Sequence, residues 1–339
     1  MSFELIPTKK QRNGASISSS SSDEDVSASI VPLQKMAPAR LHNELLQWRL
    51  SAEQLQQNGY PFWDNKTNQA VFQKTMNNRM DWVAANDYFR KCARCQKGFY
   101  LNRDGTIHPQ KCTHHHRPKW DQATGRKRHP CCNAKPGPSS TAGCMVEDTH
   151  VFNSAWEETL WEFVTTPLPN AASDQRSRKV YGLDCELVHT LNGLEVARAS
   201  LVDMKGKVLL DTFVLPIYNV ISYNSTFSGV TEKDMETAIS LEACRLQLFQ
   251  YINASTLLVG HSLESDLKAL RIVHHNVIDT SVLFSLAHPS GTHIKLSLQT
   301  LARNHLGKCV QLNESGHSSV EDSITCMELL AVRHSLSIK

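Results

Sequence analysis

Residues 180–188 read VYGLDCELV, an apolar run broken by two acids. The length of the run and its Val, Tyr and Leu content predict a buried strand. On a strand, side chains i and i+2 leave the same face, so Asp184 and Glu186 stand side by side while Cys185 points the other way. Two ionised carboxylates this close repel each other unless a cation lies between them, and burying them uncompensated is costly. The pair reads as half of a metal site.

Working outward, residues 195–216 alternate around Lys205-Gly206-Lys207 as a hairpin. Apolar spacing predicts helices over 238–253, 265–273, 297–306 and 319–334, with short buried strands at 256–260 and 277–280. This mixture predicts an α/β domain with a hairpin at its front. Asp266 falls in the first turn of the helix after LLVGHS, where an acid also suits the helix dipole. His317 lies in the polar stretch NESGHSSVED, with Ser318 or Ser319 as helix cap and Asp322 in the first turn. A glycine-preceded histidine is read as able to move. Four acids and one imidazole in this order offer hard oxygen ligands for two divalent ions and a base for one proton.

Upstream the texture differs. Residues 87–130 hold eleven Lys or Arg against three Asp and no Glu, in a chain of 339 residues whose net charge is only +3. A basic module attached to an acidic one is expected. The same region carries Cys92, Cys95, Cys112, His115, Cys131, Cys132, Cys144 and His150, a Cys/His pattern that suits zinc. Two-residue gaps, Cys92-x2-Cys95 and Cys112-x2-His115, let a tight knuckle present both ligands to one ion. Neighbouring side chains diverge, so Cys131 and Cys132 are not expected to share one. The eight divide into two sites of four with the pairing open, and His114, His116 and His129 are possible substitutes. Phe99, Tyr100 and Trp120 interleave with the basic residues, as in a guide for single-stranded RNA.

Residues 1–38, with the run SISSSSSDEDVSAS, are expected to be a disordered tail. Residues 39–90 read as a short helical lead-in, 91–152 as the zinc-binding module, 170–179 as a polar linker and 180–336 as the catalytic domain. No signal peptide or membrane span is expected, which places the protein inside the cell; RKRH at 126–129 points to the nucleus in preference to the cytoplasm.

The segments LDCELV around Asp184, TFSGVT from Thr226, VGHSLESDLKAL around Asp266, VIDTSVLF from Val277, LSLQTLA from Leu296 and GHSSVEDS around His317 resemble the DEDDh 3′-to-5′ exonucleases, and among them the eukaryotic Rex-type RNA exonucleases. LSAEQLQQNGYP from Leu50 and the cysteine cluster are similar to the region preceding the nuclease domain in that family. The resemblance implies an RNase H-like α/β fold. It implies two Mg2+ or Mn2+ ions held by Asp184, Glu186, Asp266 and Asp322, with His317 as general base. The activity implied is hydrolysis of RNA from its 3′ end to nucleoside 5′-monophosphates. Leu187, where the family commonly has Met, would press on the terminal base. The competing readings are a catalytically silent RNA-binding protein acting through its zinc module, and a DNA exonuclease of the same superfamily.

Overall fold

The computed structural model describes residues 33–72, 88–121, 125–137, 143–153, 162–287, 293–311 and 316–338. Of the tail expected over 1–38, residues 1–32 lie outside the described residues, as does the stretch over 73–87; Leu33 is fully buried and Pro38 opens a helix, so the last part of that expected tail is ordered.

At the centre is a seven-stranded mixed sheet. Its strands are β1 (Val180–Thr190), β2 (Gly193–Asp203), β3 (Val208–Leu215), β4 (Val220–Ser222), β5 (Ile239–Ser240), β6 (Leu257–Gly260) and β7 (Val277–Asp279). The order is β5-β3-β2-β1-β6-β7, with β4 pairing the far end of β1. β1, β2 and β3 form an antiparallel meander, as the alternation predicts, while β6 and β7 run parallel to β1. β1 is thus central, flanked on both edges, and its apolar residues are buried nearly throughout. This is the mixed α/β architecture that the resemblance implies.

Helices cover both faces. Five of them are α1 (Pro38–Leu45), α2 (Ala52–Gln57), α3 (Leu241–Tyr251), α4 (Glu264–Ala269) and α5 (Ser319–Ile338). One core joins Leu183 and Leu201 to Leu248 of α3 and Leu267 of α4; the other joins Val202 and Val259 to Leu45 of α1 and Leu330 of α5. Gly182 makes the second face possible at close range. A Cβ there would sit 2.9 Å from the Ser323 carbonyl, so only glycine lets α5 lie directly on β1.

The first helices are integral to this domain. Ser51 and Gln54 form a capping box, each bonding the other's backbone N–H. Leu33 and Leu45 are fully buried in the second core. Tyr60, also fully buried, donates to Asp279 Oδ2 at 2.7 Å. The lead-in holds a hairpin as well, Phe62–Asp64 against Gln69–Val71. Residues 170–179 carry a 3-10 turn, Gln175–Arg178, in which the Arg176 guanidinium bonds Asp174 and the Phe249 carbonyl.

The helix expected over 265–273 stops at Ala269. Arg271 adopts φ 53°, a left-handed conformation that ends the helix, and its buried guanidinium pairs with Glu162 and Glu195. Ile272–Val273 then pairs with Val164–Thr165 as a two-stranded ribbon. Among the described residues no helix is long and apolar enough to cross a membrane.

Candidate functional site

Four acids converge where β1, α4 and α5 meet. Asp184 is half-buried and Glu186 buried on β1, while Asp266 and Asp322 are buried in the first turns of α4 and α5. The sheet register sets the first two, and a tight turn sets the third. Ser262, at φ 56°, reverses the chain between β6 and α4, and its N–H donates to Asp279 Oδ1. Asp279 also accepts from Ser281 and from Tyr60, so a buried carboxylate pins the turn. Asp266 Oδ1 then accepts the Cys185 N–H at 2.8 Å, tying α4 to the strand that carries the Asp-x-Glu pair.

The electrostatics are those of an anion cluster. Burial pushes the Asp184 carboxyl well above the usual carboxylate range, and Asp266, Asp322 and Glu186 push it further. Burial and Asp322 raise Glu186 to about 8, against the opposing pull of Arg198 directly across the β1–β2 register. Burial likewise lifts Asp266 well above its ordinary value and Asp322 to about 6. Asp322 Oδ2 accepts from Gln311 Nε2 at 2.8 Å, but Asp322 Oδ1 and Glu186 Oε1 are buried without a hydrogen-bond partner among the described residues. Orphaned carboxylate oxygens of this kind are costly in a protein interior. An all-carboxylate donor set fits hard divalent ions such as Mg2+ or Mn2+.

His317 stands half-buried on the segment entering α5. Its N–H donates to the Phe227 carbonyl at 2.8 Å, and its ring lies edge-on to Phe227 at 6.2 Å. Gly316, at φ 103°, passes so near the Gly229 backbone that a Cβ would fall 2.2 Å from its nitrogen. The glycine therefore serves close approach, anchoring His317 to residues 224–229, where the sequence reading took it for mobility. A β-bulge separates Glu186 from Leu187, which packs half-buried against the core.

Upstream, the eight cysteine and histidine candidates form two groups, each with ligand atoms within 4.8 Å of one another: Cys92, Cys95, Cys112 and His150, then His115, Cys131, Cys132 and Cys144. Cys92 and Cys112 sulfurs are 3.6 Å apart, and Cys95 Sγ is 3.4 Å from His150 Nδ1. Such spacings suit the edges of a tetrahedron around one metal. Two sequence expectations are corrected here. Cys131 and Cys132 do share a group, their sulfurs 3.6 and 3.4 Å from His115 Nδ1. They sit in a turn closed by Asn133 N–H bonding the His129 carbonyl, and successive side chains in a turn converge where on a strand they would alternate. Conversely, Cys112 and His115 fall in different groups, because Cys112–His114 is a strand paired with Met145–Glu147 and His115 lies just past its end. The two groups are interlaced through that pairing. His114, His116 and His129 stand outside both; one ring nitrogen of His129 donates to the His116 carbonyl at 2.7 Å.

The basic and aromatic guide is corrected in part. Phe99 is buried and stacks on His150 at 5.2 Å, so it supports that imidazole and is closed to a base. Tyr100 is exposed, and the Trp120 side chain lies outside the described residues. Arg198, Gln311, Tyr60 and Asp279 were not picked out by sequence reasoning. Arg198 follows from the hairpin register; Tyr60 and Asp279 meet across 219 residues, and Gln311 reaches Asp322 from 11 residues away.

The relatives share most of this chain. Exonuclease GOR of Pan troglodytes is 36% identical over 300 residues, covering 87% of this chain and 42% of that protein. RNA exonuclease 1 homolog of Homo sapiens is 35% identical over 304 residues, covering 88% of this chain and 24% of that protein. The chain thus spans less than half the length of each. A family model described as ElonginA binding-protein 1 matches residues 1–77. Among solved structures, the Pan2 catalytic unit of Neurospora crassa (protease and nuclease domain) aligns at 24% identity and a TM-score of 0.43, covering 63% of this chain and 39% of that one.

Proposed function

The chain belongs to the Rex-type RNA exonuclease family, and from that premise we propose that it is a divalent-metal-dependent exonuclease that removes nucleotides from the 3′ end of single-stranded RNA. Asp184, Glu186, Asp266 and Asp322 would hold two Mg2+ or Mn2+ ions. Bound there, the ions supply activation of water and neutralisation of the charge that develops on the scissile phosphate and the departing 3′ oxygen. His317, anchored by Phe227, accepts the proton of the attacking water. Leu187, beyond the bulge, presses on the terminal base. Hydrolysis that leaves the phosphate on the released nucleotide yields a nucleoside 5′-monophosphate. The two Cys/His groups would each hold one structural Zn2+.

One observation carries the reading: buried, mutually repelling carboxylates with orphaned oxygens have no use for packing and every use for cations. The test is incubation of the purified chain with 5′-labelled single-stranded RNA and matched DNA, in Mg2+ or in EDTA, beside Asp184→Ala. A ladder shortening from the 3′ end of RNA, present with metal and absent in EDTA and in the variant, is expected. Equal cleavage in EDTA, or by Asp184→Ala, contradicts the proposal; preference for DNA would overturn the substrate.

A further inference from the structure

The Cys/His module is docked against β4, the start of β2 and the residues after β4. Arg94 Nη2 donates to Ser222 Oγ at 2.7 Å, Leu194 N–H bonds the Asn153 carbonyl at 2.7 Å, and the His116 ring meets Phe227 at 4.9 Å. Between the two units the docking leaves a cleft of about 740 Å3. One wall carries Arg94 and Arg117 from the module; the other carries Leu187, Tyr223 and Phe227 from the nuclease domain. Among the described residues Glu147 is the single acid on the lining, 3.9 Å from Arg94 Nη1. Two of these residues adjoin the candidate reaction centre: Leu187 follows Glu186 on β1, and Phe227 anchors His317.

We propose that this cleft receives the nucleotides immediately preceding the 3′ end of a single-stranded RNA, which makes the zinc module half of the substrate channel; this rests on the exonuclease reading. Three properties argue for that occupant. Leu187, next to Glu186 on β1, and Phe227, whose carbonyl accepts the His317 N–H, both line the cleft, so a strand whose last nucleotide lies at Leu187 has this open volume beside it. Its charge is positive and backed by a module rich in Lys and Arg, which suits phosphates. Its Tyr and Phe rings suit unpaired bases, which stack on aromatic faces with little regard for sequence. The module wall rests on the second Cys/His group: His116 N–H donates to Cys131 Sγ at 3.3 Å, next to ligand His115. A duplex would not present its bases to such a cleft.

The experiment compares the full chain with Arg117→Glu, an exposed position where charge reversal spares the fold, and with Tyr223→Leu. Hydrolysis of a dinucleotide and of an RNA about 8 nucleotides long gives a ratio of kcat/KM, long over short. Fluorescence anisotropy of the longer RNA on Asp184→Ala, with and without each cleft substitution, gives binding apart from chemistry. The parent should favour the longer RNA by about tenfold or more, each substitution should cut that ratio several-fold, and the anisotropy Kd should rise by the same factor. A parent indifferent to length, an unchanged ratio and Kd in both variants, or equal binding of blunt duplex RNA overturns the proposal. A parent that cleaves neither substrate defeats the exonuclease reading instead, and the anisotropy arm still decides the cleft.

Discussion

Asp184 is held in place at a cost that each of its acidic neighbours increases. With no cation bound, the folded state must either desolvate repelling charges or take up protons. Replacing Asp184 with Asn removes one charge at nearly constant volume, so Asp184→Asn should raise the metal-free melting temperature by a few degrees. The same variant should lose most of the stabilisation that Mn2+ gives the parent, since binding to the folded state alone is what produces it. Scanning calorimetry in EDTA and in Mn2+ checks both; a variant less stable than the parent in EDTA would mean that the carboxylate is structural. The Asp-x-Glu pair was legible because period-2 alternation needs no tertiary knowledge. Gln311, which holds Asp322 from 11 residues upstream, was not, because no local pattern fixes that contact.

At the scale of the element, Tyr60 decides how α4 begins. Its hydroxyl caps Asp279 Oδ2, and Asp279 Oδ1 holds the left-handed Ser262 turn that delivers Asp266. Tyr60→Phe leaves a fully buried carboxylate oxygen one donor short and should destabilise the protein by about 1–3 kcal/mol in urea unfolding, with a fall in metal affinity as Asp266 loosens. An unchanged unfolding midpoint would show that the bond is dispensable. β1, β6, β7 and the β2–β3 hairpin were read from the sequence within a residue or two, since apolar patterning drove them, whereas β4 was not read and β5 fell in a stretch expected to be helix. The end of α4 was missed because Arg271 ends it, and what makes a left-handed arginine tolerable is a pair of glutamates far away in sequence. Cys131 and Cys132 were separated for want of knowing that they occupy a turn.

Across the whole molecule, the segment before the nuclease domain closes around it. Residues 33–72 lie within the stretch matched by the ElonginA binding-protein 1 model, yet Leu33, Leu45 and Tyr60 are spent on the nuclease core. His274 marks another such junction, buried between the Thr166 hydroxyl and the Thr256 and Asn276 carbonyls. Burial lowers its pKa to about 4, below the ordinary histidine value. A depressed folded-state value means that the unfolded chain binds the proton more readily, so this contribution is complete above about pH 6.5 and is lost as pH falls towards 4. The stability gap between the parent and His274→Gln should accordingly shrink by about 3 kcal/mol from pH 7 to pH 4. A gap independent of pH would show that His274 is not held neutral. The acids act in the opposite sense, which is why the difference between the two proteins, and not the parent alone, is the quantity to follow. None of this docking was legible in the sequence, because hydropathy patterns report which side of an element is buried and not what covers it.

The central claim is that Asp184, Glu186, Asp266 and Asp322 are gathered to hold divalent ions. Anomalous diffraction from crystals of the chain grown with Mn2+ tests it most directly. Two peaks among these four carboxylates, about 3.5–4 Å apart, are predicted, with Glu186 Oε1 and Asp322 Oδ1 as ligands. Ordered carboxylates with no anomalous density between them at saturating Mn2+ would contradict it.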